Sequence, residues 1–271
     1  MTTLKFYKMN GAGNDFILLD ARFEAITLTQ QQIAHLCHRR FGIGADGLMT
    51  LHQANTPYDF EMHYYNSDGR EASMCGNGGR CITMFAQLIG IQPQIGGQYR
   101  FWGPDGAHSA TIVKWDSLLQ NGIVDLKMCD IATSTIQHIV DKDLMIDGWF
   151  LNTGSPHFVQ AVDDLDHTDV VSQGRRIRNL LKYFPQGTNV NFIQTNSDHA
   201  LCVRTYERGV EDETWSCGTG VTACAVVTGN GNICTRGGKF DVSFQQTDNA
   251  YTNIHLIGPV SINFIGHIQL T

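Results

Sequence analysis

The chain has 271 residues, 42% of them hydrophobic, and a formal net charge of −7, which suits two domains with well-packed cores. Its densest basic cluster holds three arginines (Arg175, Arg176 and Arg178), which is typical of a solvated helix face and argues against a nucleic-acid partner. No apolar run is long enough to span a membrane and the N-terminus has no signal-peptide pattern, so we expect a cytoplasmic protein without a membrane partner.

The first half of the chain is predicted to be mainly β. A helix is indicated over 29–39 by its apolar face and by a threonine at its N-cap. A second, buried helix is indicated after Cys75, where apolar residues recur at helical spacing from Cys81 to Ile89. Runs of β-branched and aromatic residues predict strands at 16–20, 60–65, 99–102, 110–115 and 122–128.

The second half is predicted to follow the same pattern. A weaker helical periodicity covers 170–182, and the segment 221–227 is apolar nearly all round, which suits a helix at the centre of a domain. Because strands and helices do not alternate regularly, antiparallel pairing should dominate. Strands are predicted at 158–162, 189–194, 201–207, 240–244, 253–257 and 261–264.

The tetrapeptide Cys-Gly-X-Gly occurs twice, at 75–78 and 217–220, and the two copies lie 142 residues apart. Asn66 precedes the first cysteine by nine residues, and Glu207 precedes the second by ten. This repeat predicts an α+β fold with two pseudo-symmetric, mainly-β domains, each wrapped around a central helix. The C-terminal strand is free to return to the first domain. We place the two domains at 1–125 and 126–271.

A cysteine at the start of a helix is favoured as a thiolate, because N–H groups and the helix dipole stabilise negative charge there. Cys75 and Cys217 both precede predicted helices. Two such thiols on opposite faces of an α-carbon would form an acid–base pair, in which one removes the α-proton and the other delivers a proton to the opposite face. Backbone N–H groups in the two turns would bind the carboxylate and stabilise the developing enolate. They belong to Gly76, Asn77, Gly218 and Thr219.

The other six cysteines are expected to be reduced, buried structural thiols, as is usual in a chain without a secretion signal. None of the eight is spaced C-x-x-C, so we expect neither a structural zinc site nor a thioredoxin-type motif. The six are Cys37, Cys81, Cys129, Cys202, Cys224 and Cys234.

Three further segments fit such a site. Asn14 lies in a glycine-rich turn that enters a strand. His157 follows a rigid Gly-Ser-Pro turn and could adjust the proton affinity of a nearby thiol. Glu207 and Arg208 end a strand just before the second cysteine, and the arginine fork suits a substrate carboxylate.

With these residues assembled, the chain resembles the diaminopimelate epimerase family of lysine and peptidoglycan biosynthesis. The resemblance implies a two-domain pseudo-symmetric fold, a homodimer, and an epimerisation of diaminopimelate that needs neither cofactor nor metal. The matching motifs occur in the family's order and are Lys8–Phe16, Gly42–Gly47, Tyr65–Gly69, Met74–Cys81, Gly154–His157, Thr188–Asn189, Tyr206–Gly209 and Ser216–Gly220.

The resemblance also implies residue roles. Cys75 and Cys217 would be the acid–base pair, with His157 and Glu207 beside the thiols to tune them. The reacting carboxylate would be held by the backbone of Gly76, Asn77, Gly218 and Thr219. The distal amino acid end would be held by Asn14, Asn66, Asn189 and Arg208, and Glu207 would also contact the substrate.

Two positions depart from the family's pattern. Gly47 stands where some members have a glutamine that reaches the substrate, and Ser155 stands where others have asparagine. This chain would therefore lack the strong substrate contacts that the glutamine and the asparagine make in those members. The specificity for the distal end is thus left open.

Three other functions remain open from the sequence. A proline or hydroxyproline racemase has the same fold and both motifs, but typically carries histidine in place of Asn77 and needs no contacts to a second amino acid end. A redox-switched binding protein would use Cys75 and Cys217 as a reversible disulfide. A pyridoxal enzyme is disfavoured, because none of the lysines lies in a glycine-rich anion-binding context.

Overall fold

The computed structural model describes residues 2–24, 26–72 and 74–270. The chain divides into two compact units: Met1–Leu126 together with Gly258–Thr271, and Lys127–Ile257. Within the described residues, no helix is long and apolar enough to cross a lipid bilayer.

The first unit contains strands that pair in a closed series around one helix. Its helices are α1 (Gln30–Cys37) and α2 (Gly76–Leu88). Its strands are β1 (Thr2–Gly11), β2 (Asn14–Asp20), β3 (Gly47–His52), β4 (Phe60–Asn66), β5 (Gln98–Gly103), β6 (Gly106–Asp116), β7 (Asn121–Lys127) and the last part of β17 (Ala250–Leu270).

Pairing in this unit runs from β17 through β1 to β7 in chain order and returns to β17. The pairs β2–β3 and β4–β5 are parallel, because α1 and α2 provide the crossovers between them. Helix α2 lies against β1, β2, β3 and β6, and every residue from Gly76 to Ala86 is buried. The apolar face of the sheet therefore wraps most of α2, and this helix forms the centre of the core.

The second unit is built in the same way. Its helices are α3 (Val170–Arg178) and α4 (Gly218–Thr228). Its strands are β8 (Ile131–Ala132), β9 (Gln137–Asp141), β10 (Ile146–Asn152), β11 (Pro156–Ala161), β12 (Asn189–Thr195), β13 (Leu201–Glu207), β14 (Asp212–Thr214), β15 (Asn232–Thr235), β16 (Gly238–Gln246) and the first part of β17.

Both units share one order of elements. In the first, α1 joins the parallel pair β2–β3 and α2 joins the parallel pair β4–β5. In the second, α3 joins β11–β12 and α4 joins β13–β15, again parallel, while the remaining pairs are antiparallel. This confirms the prediction of two pseudo-symmetric, mainly-β domains, each with a helix at its centre.

Several element boundaries differ from the prediction. The strands that were not predicted are β1, β3, β8, β9, β10, β14 and β15. The two strands expected at 253–257 and 261–264 form the single strand β17. Within β17, the pairing partner changes from β16 to β7 at Gly258. Helix α3 ends at Arg178 rather than near 182, because the chain turns ahead of Pro185 and buries Phe184.

The expectation of six reduced, buried structural cysteines is wrong at three of them. Parallel pairing of β13 with β15 places Cys202 opposite Cys234, and the two form a disulfide. The sequence gave no sign of this pair because β15 was not predicted. Cys129 is exposed. Cys37, Cys81 and Cys224 are buried as expected, and burial raises the pKa of each thiol.

Candidate active site

Each unit places one cysteine at the N-cap of its central helix. Cys75 precedes α2 and Cys217 precedes α4, both with extended backbone angles, and neither side chain caps its own helix. Cys217 is buried and Cys75 is half-buried. The helix N-terminus favours negative charge at both sulfur atoms, as the sequence predicts.

Two glycines are required by close packing around these motifs. A Cβ on Gly220 would overlap Asn191 Oδ1 and lie 3.2 Å from His157 Cε1. A Cβ on Gly11 would lie 2.8 Å from the carbonyl oxygen of Asn77. Only glycine lets the backbone approach these groups so closely.

In the first unit, the Cys75 thiol donates a hydrogen bond to Asn14 Oδ1, with a sulfur–oxygen distance of 3.6 Å. The orientation of the Asn14 amide is set on its other side, where Nδ2 donates to Asp46 Oδ2 at 2.7 Å. Because an ionised carboxylate only accepts hydrogen bonds, Nδ2 must face Asp46 and Oδ1 must face the sulfur.

A network of ion pairs holds Asp46 in place. Arg39 Nη2 bridges Asp15 Oδ1 and Asp46 Oδ1, both at 2.7 Å. Buried Lys8 donates to Asp15 Oδ2 at 2.6 Å and to the Gly44 carbonyl. Burial acts to raise the pKa of Asp15, but hydrogen bonds from Arg39 and Lys8 outweigh it and lower the pKa to about 2. Asp15 is therefore ionised at neutral pH.

Arg80 is a polar residue of this unit that the sequence analysis did not single out. It lies in α2 with no exposed surface. Its Nη2 donates to Asn77 Oδ1 at 2.7 Å and its Nη1 to the Gly76 carbonyl at 3.2 Å. The sequence did contain a signal for Arg80, because it is a charged residue close to Cys75 in a helix that is predicted to be apolar and buried. Charged side chains are rarely buried unless they are paired or hydrogen-bonded.

In the second unit, the Thr219 hydroxyl joins the thiol to a buried histidine. Thr219 Oγ1 lies 3.4 Å from Cys217 Sγ, 2.9 Å from His157 Nε2 and 3.0 Å from Ser155 Oγ. The sequence pointed to the Thr219 backbone, whereas the structure adds its side chain as the link between His157 and the sulfur.

His157 is neutral and its tautomer follows from its neighbours. Burial, and then the charge of Arg208, lower the pKa of His157 to about 3. Asn191 Nδ2 lies 3.1 Å from His157 Nδ1, while Asn191 Oδ1 accepts from Thr205. Nδ1 is therefore the acceptor and Nε2 carries the proton. These contacts allow donors to run from Asn191 through His157 and Thr219 to the sulfur of Cys217, an order that would stabilise a thiolate.

Asn189 and Arg208 are neighbours at the start of β12 and the end of β13. Asn189 Oδ1 accepts from the Arg208 backbone N–H at 2.8 Å, and its Nδ2 donates to the Pro156 carbonyl at 2.9 Å. Arg208 Nη1 donates to the Gln186 carbonyl at 3.1 Å. The structure therefore brings His157, Asn189 and Arg208 together with Cys217 and Thr219.

Asn66 and Glu207 lie at corresponding strand ends, on β4 and β13. Asn66 is exposed, and its backbone closes a turn with Gly69 and Arg70. Glu207 is half-buried beside Arg208, and its carbonyl accepts from the Glu211 backbone N–H. Asn66 ends β4 nine residues before Cys75, and Glu207 ends β13 ten residues before Cys217.

Gly47 and Ser155 have structural roles in this chain. A Cβ on Gly47 would lie 2.6 Å from the Tyr64 ring and 2.6 Å from the Tyr65 carbonyl, so no larger side chain fits there without movement. Ser155 Oγ lies 2.9 Å from His157 Nε2 and 3.3 Å from Asn189 Nδ2. The serine is thus part of the histidine network. In the described ranges, no group of three His, Cys, Asp or Glu side chains is placed to hold a metal ion.

Two β-wrapped helices define the class of fold to which this chain belongs, and the same fold occurs in solved structures. The chain is similar to a probable proline racemase from Agrobacterium radiobacter K84, with a TM-score of 0.73 and 16% identity over 99% of this chain and 93% of that one. It is also similar to a hydroxyproline epimerase from Agrobacterium vitis, with a TM-score of 0.70 and 14% identity over 99% of this chain and 93% of that one. These similarities establish the fold.

The chain belongs to the diaminopimelate epimerase family, whose model matches residues 6–96 and 149–261. It is 44% identical to the diaminopimelate epimerase of Flavobacterium psychrophilum, over 96% of this chain and 98% of the relative. It is 37% identical to that of Methanocella arvoryzae, over 100% of this chain and 98% of the relative. The resemblance inferred from the motifs is confirmed.

Proposed function

We propose that this protein is a cofactor-independent epimerase that interconverts L,L- and meso-diaminopimelate. The observation that carries the proposal is the duplicated N-cap thiol: Cys75 and Cys217 each begin the buried central helix of one unit. Family membership supports diaminopimelate as the substrate.

In the proposed reaction, Cys75 and Cys217 serve opposite faces of one α-carbon. One thiolate takes the α-proton, the bonding pair passes into the enolate of the carboxylate, and the other thiol then returns a proton to the opposite face. The two sulfur atoms exchange protonation states, so the same pair of residues catalyses the reverse reaction. Configuration inverts without any change of oxidation state, and the substrate's own carboxylate accepts the electron pair.

The weak acidity of the α-C–H is the main barrier. Backbone N–H groups at the starts of α2 and α4 would stabilise the negative charge that develops on the carboxylate. The donor chain through His157 and Thr219 supports the thiolate form of Cys217. The residues proposed to hold the reacting carboxylate are Gly76, Asn77, Gly218 and Thr219.

We propose that the distal amino acid end distinguishes this substrate from a single amino acid. Arg208 would pair with the distal carboxylate, since its fork suits two oxygen atoms. Asn14, Asn66, Asn189 and Glu207 would contact the remaining polar groups. We further propose a homodimer that acts in the cytoplasm, in lysine and peptidoglycan biosynthesis.

The decisive experiment incubates the protein with L,L-diaminopimelate in D₂O. We expect meso-diaminopimelate with deuterium at the inverted carbon, detected by NMR and chiral chromatography. Proline and hydroxyproline are the matched comparison substrates. Racemisation of proline without turnover of diaminopimelate would instead favour the racemases of the same fold.

A further inference from the structure

Burying a guanidinium is costly unless it is paired and hydrogen-bonded, so fully buried Arg80 requires an explanation. Burial lowers the pKa of Arg80 to about 10, against the electrostatic influence of Cys81 and Cys75, which raises it. The side chain is therefore a cation at neutral pH. This charge lies within α2, and Cys75, one of the two proposed acid–base groups, stands at the N-terminus of the same helix.

The contacts of Arg80 are directed at the Cys-Gly-X-Gly turn. The guanidinium holds the side chain of Asn77 at 2.7 Å and the carbonyl of Gly76 at 3.2 Å. These two residues follow Cys75 directly and contribute the N–H groups proposed to bind the carboxylate. The charge is thus fixed behind the first turn of α2, where it adds to the helix dipole.

The second unit offers an internal comparison. Counting from each cysteine, Arg80 corresponds to Thr222, and Asn77 corresponds to Thr219. Thr222 Oγ1 donates to the Gly218 carbonyl at 3.0 Å, so the same carbonyl is bonded in both units, but by a neutral hydroxyl in the second. In the second unit, Thr219, the counterpart of Asn77, is held by neutral His157, whereas Asn77 is held by the charged Arg80.

We propose that Arg80 is a positioning residue that supplies a fixed positive charge to the first half of the active site. It holds the Gly76–Asn77 turn in shape and stabilises the negative charge that forms when Cys75 gives up its proton. In the second half, the donor chain from Asn191 through His157 and Thr219 has the corresponding task for Cys217. The two halves thus stabilise their thiolates by different means. The catalytic part of this inference rests on the proposed function.

Other titratable groups occur on the strands that pack against α2. On β1 and β2, Lys8 and Asp15 are paired with each other. On β3 and β6, His52 bonds Thr50 and His108 bonds Asp105. Arg80, on α2 itself, contacts the turn after Cys75 directly, so its removal should act on that thiol.

The test compares Arg80→Met, which removes the charge, with Arg80→Lys, which keeps it, and with Thr222→Val as the matched variant in the second unit. Cys75 alkylation by iodoacetamide is followed against pH by mass spectrometry, in a Cys217→Ala background. We expect Arg80→Met to move the alkylation midpoint up by about one pH unit or more, and Arg80→Lys to restore most of the shift. Thr222→Val should leave the midpoint unchanged.

Turnover supplies the second measurement, with Cys217 intact. We expect Arg80→Met to lower kcat about 100-fold relative to wild type. The kcat of Arg80→Lys should be at least about tenfold higher than that of Arg80→Met. Equal midpoints and equal kcat values for folded Arg80→Met and Arg80→Lys would overturn the proposal. If Arg80→Met does not fold, an Arg80→Lys midpoint about one unit above wild type would overturn it too. Alkylation needs no substrate, so it separates this inference from a failure of the epimerase assignment.

Discussion

Single residues decide the chemistry of this protein, and the two motif cysteines illustrate how. Buried Cys81 lies six residues after Cys75, and buried Cys224 lies seven residues after Cys217, and burial raises the pKa of both thiols. Cys75 and Cys217 differ from them by standing at the N-caps, where hydrogen-bonding groups reach the sulfur atoms. About two helical turns therefore separate the thiols that we propose as acid and base from the buried structural ones.

Replacing either motif cysteine should abolish epimerisation. We expect Cys75→Ala and Cys217→Ala to lose about 100- to 10 000-fold in kcat, because each removes the acid or base for one face. Serine at either position should also lose most turnover, since a hydroxyl is too weakly acidic. Cys129→Ala, at an exposed position, is the control and should keep wild-type activity. Substantial turnover by Cys75→Ala would contradict the two-base mechanism.

His157 should make the folded protein sensitive to acid. Its pKa falls from 6.5 to about 3 on folding, so the folded state resists a proton that the unfolded state accepts. The stability that this neutral histidine contributes is complete above pH 6.5 and is lost as the pH falls toward about 3.

Urea unfolding at about pH 7 and about pH 4.5 measures this effect. In His157→Gln, the loss of unfolding free energy between the two pH values should be about 2 kcal/mol smaller than in wild type. His167→Gln, at an exposed position, is the control and should follow the wild type. Identical acid sensitivity of His157→Gln and wild type would show that folding does not lower the pKa of His157.

At the scale of elements, the ion pairs between β1, β2 and the α1–β3 connection position the first thiol. Asp15 accepts from Lys8 and Arg39, Arg39 also holds Asp46, and Asp46 fixes the amide of Asn14. Lys8 and Asp15 are largely removed from solvent, so their pairing is weakly screened. The loop after α1 thereby acts on the geometry at the start of α2.

Removing the charge of Asp15 should destabilise the folded protein. Asp15→Asn leaves Lys8 buried beside a neutral amide, which should lower the unfolding free energy by about 2–4 kcal/mol at neutral pH. Because the folded pKa of Asp15 is lowered from 3.8 to about 2, its contribution is present above pH 3.8 and is lost as the pH falls through about 2. The difference between variant and wild type should therefore narrow over that range.

Chemical denaturation over a pH series gives the measurement, and Asp143→Asn at an exposed turn is the matched control. The control should leave the unfolding free energy unchanged within about 0.5 kcal/mol. A difference between Asp15→Asn and wild type that stays constant down to about pH 2 would argue against the ionised network.

At the scale of the whole molecule, the repeat was readable from the sequence, whereas several strands were not. The duplicated Cys-Gly-X-Gly motif predicted both central helices, since each carries an apolar pattern and a glycine-rich start. Strand β1 was missed because lysines interrupt its apolar residues. Lys8 is nevertheless buried, because it pairs with Asp15 on β2, and a local sequence pattern does not reveal such a contact. The Cys202–Cys234 disulfide likewise depends on a strand pairing across 32 residues.

The site was predictable in part for the same reason. Cysteines, glycines and His157 lie in short motifs, so their neighbours along the chain indicated their chemistry. Arg80 and the Thr219 hydroxyl act through contacts made only after α2 and α4 form. The steric block at Gly47 comes from Tyr64 on the neighbouring strand, which no motif could show.

Strand β17 is the element on which the closed series of the first unit depends. Removing residues 258–271 deletes the partner of both β1 and β7 and leaves two strands with open edges. We expect the shortened chain to be insoluble or to lose thermal cooperativity, measured by circular dichroism and analytical ultracentrifugation. The control is a chain with Ile265→Thr, a substitution at an exposed position of the same strand. A shortened chain that melts like the wild type would show that the series need not close.

The pairing of Thr2 with Leu270 has a mechanical consequence. These residues lie side by side at one end of an antiparallel pair, so a load applied between them pulls the hydrogen bonds of β1 and β17 apart one after another. If a load were instead applied at opposite ends of a strand pair, as between the N-terminus of one parallel strand and the C-terminus of its neighbour, all the inter-strand hydrogen bonds would be sheared at once. Stretched between Thr2 and Leu270 in an optical trap, the molecule should open like a zipper at low force, and a peptide bridge joining the two residues should make it resist.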